Sequence, residues 1–461
     1  MMDYRAGFTG AALALSAPFL PGAAPAAGTW NGTFTLPAAA EPVGISLSTR
    51  GTVVLGPGHA PELRTRVTLN GARIRFSVPG RPAAIAFDGT VRNGKLTGVV
   101  RQGAARGRFA LRRGALSRDR GLGAYRLASG HALGVFGADG PRIGVDFDTG
   151  AVGALFPAGA GYTVGSGILS RGTPVGTARL GGAGATWLGA RATRVPGRSL
   201  EVRFGSLAGT LWLPAGAGRH AAVAIAHGSG ATPRSMAGAL APYFASRGIA
   251  VLAYDKRGVG QSGGSWPGER ASANAIDLYA RDAAAAVRFL AAQPEVDPAR
   301  VGLAGQSQAG WVMALAAARE RAVRWVVSYS GPAVSVEESD LWGRLAGQGG
   351  TPAVSLDEAE RQVRALGRMG FDPLPSLRTL RIPLLYLLGG NDRHTPTELS
   401  VERLRTLGAD HDLEVRVFPR GDHFLIDTAH GLSTELAASG RYADGLWSTV
   451  DQWLAAHQLR G

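Results

Sequence analysis

One serine stands where its chemistry can be read at once. Gly305-Gln306-Ser307-Gln308-Ala309-Gly310 follows a short apolar run and opens a helix-length one. A strand–turn–helix elbow of this kind holds a serine in strained backbone geometry and lifts its hydroxyl clear of a sheet. Small neighbours let strand and helix approach closely, and the helix N-terminus favours a developing anion. The usual second glycine of such a turn is Ala309 here, a departure of one methyl. Such strings arise readily by chance in a chain with 68 glycines, so the flanking elements carry the weight. Upstream, His227-Gly228-Ser229-Gly230 ends another apolar run, and the Ser229 N–H is the expected partner of the Gln308 N–H in an oxyanion hole. Downstream, Leu388-Gly389-Gly390-Asn391-Asp392 sets an acid after a strand, and Gly421-Asp422-His423-Phe424 offers an imidazole. Ser307, Asp392 and His423 are therefore the expected nucleophile, orienting acid and base. His394 lies too close to Asp392 on one loop, His411 precedes its strand, and His430 is the reserve. The chemistry is attack on an acyl carbonyl, an acyl-enzyme, and its release by water.

That chemistry needs no cofactor. The chain has no cysteine, which removes thiol nucleophiles, disulfides and Cys-ligated zinc. No two histidines stand in an H-x-x-x-H pair, so no metal site is expected.

From about residue 199 the pattern alternates strands and helices. Strands are expected at Ala222–Ala226, Ile249–Tyr254, Val301–Ala304, Val323–Tyr329, Pro383–Leu388 and Leu413–Phe418. Helices are expected near Ile276–Ala292, Gln308–Ala318, Thr397–Leu407 and Ala443–Leu459. Alternation of this kind predicts a mostly parallel sheet with helices on both faces, an α/β domain. An insert at about 331–381, with a helix pattern near Leu356–Met369, is expected to cap the pocket, a plain structural connection being the alternative.

With these residues in place, the 199–461 segment resembles the serine α/β-hydrolase superfamily. Within it the segment is similar to exported esterases and dienelactone-hydrolase-like proteins that carry N-terminal β-modules. The string Tyr254-Asp255-Lys256-Arg257-Gly258-Val259-Gly260-Gln261-Ser262 is similar to a turn those hydrolases carry, with Asp255 and Arg257 expected to pack it. The resemblance implies the fold and the Ser…Asp…His order. True dienelactone hydrolases use cysteine, absent here, and dehalogenases use an aspartate where Ser307 stands, so both activities are disfavoured.

The first 200 residues are a different kind of chain. Residues 1–27 have a short head, an apolar stretch from Ala6 to Leu20 and an Ala24-Pro25-Ala26 site, the shape of a secretory signal peptide. A secreted or periplasmic protein is expected, a cytoplasmic one being the alternative. No segment is long and apolar enough to span a membrane. Residues 28–115 and 116–198 read as two β-rich modules, with period-two alternation and glycine turns such as Asn70-Gly71 and Asn93-Gly94. A sandwich or barrel is expected, and no propeller repeat is present.

The net charge of +15 falls entirely within residues 1–200, the remainder summing to zero. All but Lys95 and Lys256 of the 49 basic residues are arginine. The arginines are scattered singly and aromatics are few, so nucleic acid is not expected. A solvated surface, or weak contact with an anionic surface through residues 28–200, is.

Two readings compete with ester hydrolysis. A serine peptidase acting on small peptides or aminoacyl amides would find Glu337, Glu338 and Asp340 in the insert ready to take a peptide amino terminus. A non-catalytic binding protein would keep only the fold.

Overall fold

The structure, a computed structural model, describes residues 27 and 29–460, with 38–42, 56–62, 79–82, 114–120, 138–141, 159–160, 171, 182–183, 269–270 and 349 outside that description. Residues 1–26 of the segment read as a signal peptide thus lie outside the described residues. The chain divides into two compact units. The first is drawn mainly from residues before Ser117, and the second runs from Ser117 to Gly461 with short pieces from 43–45 and 53–63.

In the first unit, Thr29–Thr35 pairs antiparallel with Ala105–Arg113. Lys95–Gln102, Ile85–Arg92, Arg73–Val78 and Thr68–Asn70 then follow in turn. Asn93 and Gly94 both take positive φ, +48° and +70°, which is what a two-residue hairpin turn matching the strand twist requires. Alternation sends Phe34, Phe76, Phe87 and Phe109 to one side, where Phe76 and Phe87 stack at 4.5 Å.

The second unit begins with a closed eight-stranded barrel over residues 123–194. Its strands alternate between two apolar clusters, as a small filled barrel demands. Tyr125, Leu133, Val135, Leu155 and Trp187 form one. Gly144 has no side chain because the Trp187 ring lies 2.2 Å from where its Cβ would be. Phe136, Ile143, Val145 and Phe147 join the other, which continues into Tyr243, Phe244, Trp325 and Trp447 of the following sheet and helices. Phe147 meets Trp447 at 4.8 Å and Tyr243 at 5.1 Å, both edge-on. The Arg247 guanidinium, paired with Asp451 at 2.6 Å, lies over the Tyr243 ring.

That following sheet has eight strands: β1 (Gly197–Phe204), β2 (Leu207–Pro214), β3 (His220–Ala226), β4 (Ala250–Tyr254), β5 (Val296–Gln306), β6 (Trp325–Tyr329), β7 (Leu384–Gly389) and β8 (Leu413–Phe418). Their spatial order is β1-β2-β4-β3-β5-β6-β7-β8, antiparallel through β1, β2 and β4 and parallel from there on. The crossovers use α1 (Leu240–Ser246), α2 (Ala273–Ala291), α3 (Ala309–Arg319), α4 (Val336–Ala346), α5 (Leu356–Leu366), α6 (Leu374–Leu377) and α7 (Thr397–Arg405), and α8 (Ser433–Ala438) and α9 (Leu446–Ala456) complete the chain.

Helices α1, α4, α6 and α8 were not expected from the apolar pattern, and α9 is shorter than Ala443–Leu459. The signal for α4 was present as the Ser335-x-x-Glu338 capping-box pattern, and the Ser335 N–H and Oγ both donate to Glu338 Oε2, at 2.8 and 2.6 Å. Glu338 is fully buried and paired with Arg403 of α7, which locks the insert to the sheet's last crossover.

Candidate active site

Parallel strands deliver their loops to one edge of the sheet, and the chemistry-bearing residues stand there. Ser307 follows β5 at φ +60°, a left-handed conformation rare outside glycine and costly for a serine. The turn is held from three sides. The Ser307 N–H donates to the Tyr329 carbonyl at 3.0 Å. A Cβ on Gly305 would lie 2.6 Å from that of Ala309, and one on Gly310 would lie 2.7 Å from the Gly331 Cα. The methyl of Ala309 is thus accommodated because Gly305 and Gly310 supply the closeness. Finally, Gln306 Nε2 donates to the His423 carbonyl at 2.7 Å, joining the elbow to the histidine loop.

Asp392 and His423 are brought together. His423 Nδ1 lies 2.9 and 3.0 Å from the two carboxylate oxygens of Asp392. Both side chains are buried. An acceptor at Nδ1 favours the proton there, so in the neutral ring the lone pair falls on Nε2. Asp392 also accepts the N–H groups of His394 and Thr395, and its carbonyl accepts Trp342 Nε1 of α4 at 3.1 Å. Next to the histidine, Asp422 accepts the N–H groups of Phe424 and Ile426, and burial pushes its carboxyl up to about 6.

His394, set aside on sequence for its nearness to Asp392, stacks on His423 with ring centres 4.2 Å apart and planes 11° from parallel. Burial, together with the neighbouring His423, lowers it to about 4, so it is neutral at ordinary pH. The half-exposed Phe424 ring stands edge-on to His423 at 5.6 Å. The reserve histidine, His430, is exposed and tied to Glu435.

The Ser229 and Gln308 N–H groups have no acceptor among the described residues. A Cβ on Gly228 would lie 3.8 Å from that of Ser307, so the His227–Gly230 loop runs beside the elbow. Between them sits a residue the sequence reading passed over. Lys256 Nζ donates to the Gly228 and Gly230 carbonyls at 2.8 and 3.1 Å and to Gln308 Oε1 at 2.9 Å. Its ammonium lies 4.2 Å from the centre of the Tyr279 ring, and burial pushes it down to about 7. A signal was available: it is one of two lysines in a chain that otherwise uses arginine. A compact three-donor ammonium fits where a planar guanidinium does not. On either side, Asp255 pairs with Arg234 and Arg257 with Asp282, holding the turn.

Glu338 does not face a substrate, contrary to the expectation for a peptide amino terminus, because Arg403 and Ser335 consume both its oxygens. In the barrel, His131, Asp146 and Asp148 could bring ligand atoms within 4.8 Å of one another. Asp146 and Asp148 are occupied there with backbone N–H groups of the Asp148–Gly150 turn and Ala132.

Residues 217–355 match the family described as serine aminopeptidase, S33. That match spans β3, the Ser229 loop, the elbow and the first insert helix.

The second unit contains an α/β-hydrolase domain.

Among curated relatives, a polyketide transferase of Penicillium crustosum is 36% identical over 137 residues, covering 29% of this chain and 43% of the relative. An uncharacterized protein of Pseudomonas aeruginosa is 32% identical over 171 residues, covering 36% and 42%. The chain thus spans less than half the length of these two relatives. Among solved structures, the esterase Pf2001 of Pyrococcus furiosus has a TM-score of 0.40 at 17% identity, over 57% of this chain and 90% of that one. No helix among the described residues is long and apolar enough to cross a membrane.

Proposed function

We propose that this α/β hydrolase is a serine esterase that cleaves small carboxylic esters through an acyl-enzyme. The observation that carries the reading is the buried Asp392 carboxylate against His423 Nδ1 at 2.9 Å, tied through Gln306 to a serine at φ +60°. In this reading His423 Nε2 takes the Ser307 proton as the hydroxyl attacks the acyl carbonyl. Asp392 holds the imidazole tautomer and stabilises the imidazolium. The Ser229 and Gln308 N–H groups receive the oxyanion, each such donor being worth about 3–4 kcal/mol. His423 then returns the proton to the alcohol, which leaves. Water attacks the acyl-Ser307 carbonyl with the same base, and the acid departs. The Phe424 ring beside His423 supplies an apolar wall that suits an acyl chain better than a charged group.

A panel of aryl esters and aminoacyl amides, assayed with wild type and Ser307→Ala, tests this. The expected result is ester turnover with fluorophosphonate labelling, both lost in Ser307→Ala. An unlabelled wild type would support the non-catalytic reading. The peptidase reading is favoured by the description of the matched family, and amide turnover exceeding ester turnover would select it. Export belongs to the same proposal, with cleavage after Ala26 or Ala27 as the N-terminal sequence to be found on the mature protein.

A further inference from the structure

Pairing converts the scattered arginines of the first unit into one surface. Residues 73–113 contain ten basic residues and a single acid, Asp88. Register and alternation place Arg73, Arg75, Arg92, Lys95, Arg101, Arg106, Arg108 and Arg112 on the same face of four adjacent strands, all exposed. Two arrangements on that face oppose its own stability. Arg92 stands directly opposite Lys95, and Lys95 directly opposite Arg112, so three cations line up across three strands. At the other end Arg101 stands directly opposite Arg106. Like charges in cross-strand register destabilise a sheet. Asp88 is spent on Arg73 and Arg75. Among the described residues no carboxylate pairs with Arg92, Lys95, Arg101, Arg106, Arg108 or Arg112.

We propose that this face binds an acidic polysaccharide, holding the hydrolase on an anionic polymer. The geometry selects an extended chain over a small anion. The two cationic rows are six residues apart along a strand, roughly 20 Å, with Thr90 and Thr97 between them. The chemistry selects a glycan over other polyanions. Phe34, Phe76, Phe87 and Phe109 all lie on the opposite, buried side, so the face offers no ring on which a base could stack. It also lacks the large apolar residues that an interfacial protein sinks into lipid, Val99 being its one exposed branched aliphatic.

The test uses the full-length protein on immobilised heparin, with free polygalacturonate as competitor. Wild type should be retained at about 0.05 M NaCl, released well below about 1 M, and displaced by polygalacturonate, since screening shortens these interactions to a few ångströms at high salt. The triple variant Arg92→Gln/Lys95→Gln/Arg112→Gln should bind polygalacturonate about tenfold more weakly. It should melt no lower than wild type, because the opposed charges are gone, and should keep ester turnover. The double variant Arg101→Gln/Arg106→Gln provides an independent loss should the triple fail to fold. Unchanged elution of both variants would overturn the proposal. So would tighter binding to duplex DNA, or to vesicles of phosphatidylglycerol and phosphatidylcholine, than to polygalacturonate at equal ionic strength.

Discussion

Lys256 Nζ donates to Gln308 Oε1 at 2.9 Å while the same ammonium holds the Gly228 and Gly230 carbonyls. One buried cation thus braces both sides of the proposed oxyanion hole, the loop before α1 and the residue after Ser307. Among the described residues no carboxylate partners it; two backbone carbonyls, one amide oxygen and the Tyr279 ring do.

Lys256→Met should therefore lower kcat by on the order of 10- to 100-fold with KM little changed, since a misplaced oxyanion donor acts on the transition state. Fluorophosphonate labelling should persist at a reduced rate. An unaltered kcat in a folded variant would show that the loop holds itself.

The same lysine predicts a pH dependence of stability. Unfolded, its value is the ordinary 10.5; folded, burial lowers it to about 7. Between these the unfolded chain binds the extra proton, so stability rises with pH through that window. Below about 7 both states are protonated and the burial cost is fully present. Wild type should therefore gain on Lys256→Met in denaturant midpoint from pH 7 to 10, and a constant difference would contradict it.

Asp392→Asn should cost about 10⁴-fold in kcat by disturbing the His423 tautomer. The fold should survive, because an asparagine oxygen can still accept from the His394 and Thr395 N–H groups. Circular dichroism and turnover, measured together, check both halves.

Gly305→Ala should be destabilising by about 1–3 kcal/mol, as overpacking usually is. The new methyl would meet the Ala309 Cβ at 2.6 Å and the Ala226 carbonyl oxygen at 2.7 Å. Gly94→Ala meets no neighbouring atom and should pay only for its positive φ. Paired thermal melts decide between space and backbone strain.

Phe147→Ala should lower stability by about 3–5 kcal/mol, the usual range for a buried ring. Phe147 belongs to the barrel, yet its ring is enclosed by Tyr243 and Trp447 of the hydrolase domain. A chain beginning at Gly197 should accordingly expose Tyr243, Phe244 and Trp447 and aggregate, whereas an independent hydrolase domain would stay soluble.

Local pattern was enough for the fold class and for which residue types stood at strand ends. Period-two and helical runs are short-range properties, and Ser307, Asp392 and His423 each sit in a turn with its own signature. The pairing of His423 with Asp392, 31 residues apart, rests on β7 and β8 lying side by side, which no local string encodes. Lys256 and Gln306 carried no assigned role, and His394 was set aside, for the same reason. Each acts through partners that are adjacent only once parallel strands bring their loops to one edge. Charge tells the same story: the sequence counts the arginines, and only strand register sets Lys95 opposite both Arg92 and Arg112. Burial, finally, belongs wholly to the tertiary structure. It made Glu338 a strut in place of a ligand and Lys256 a brace, because what a charge can do depends on which acceptors share its cavity.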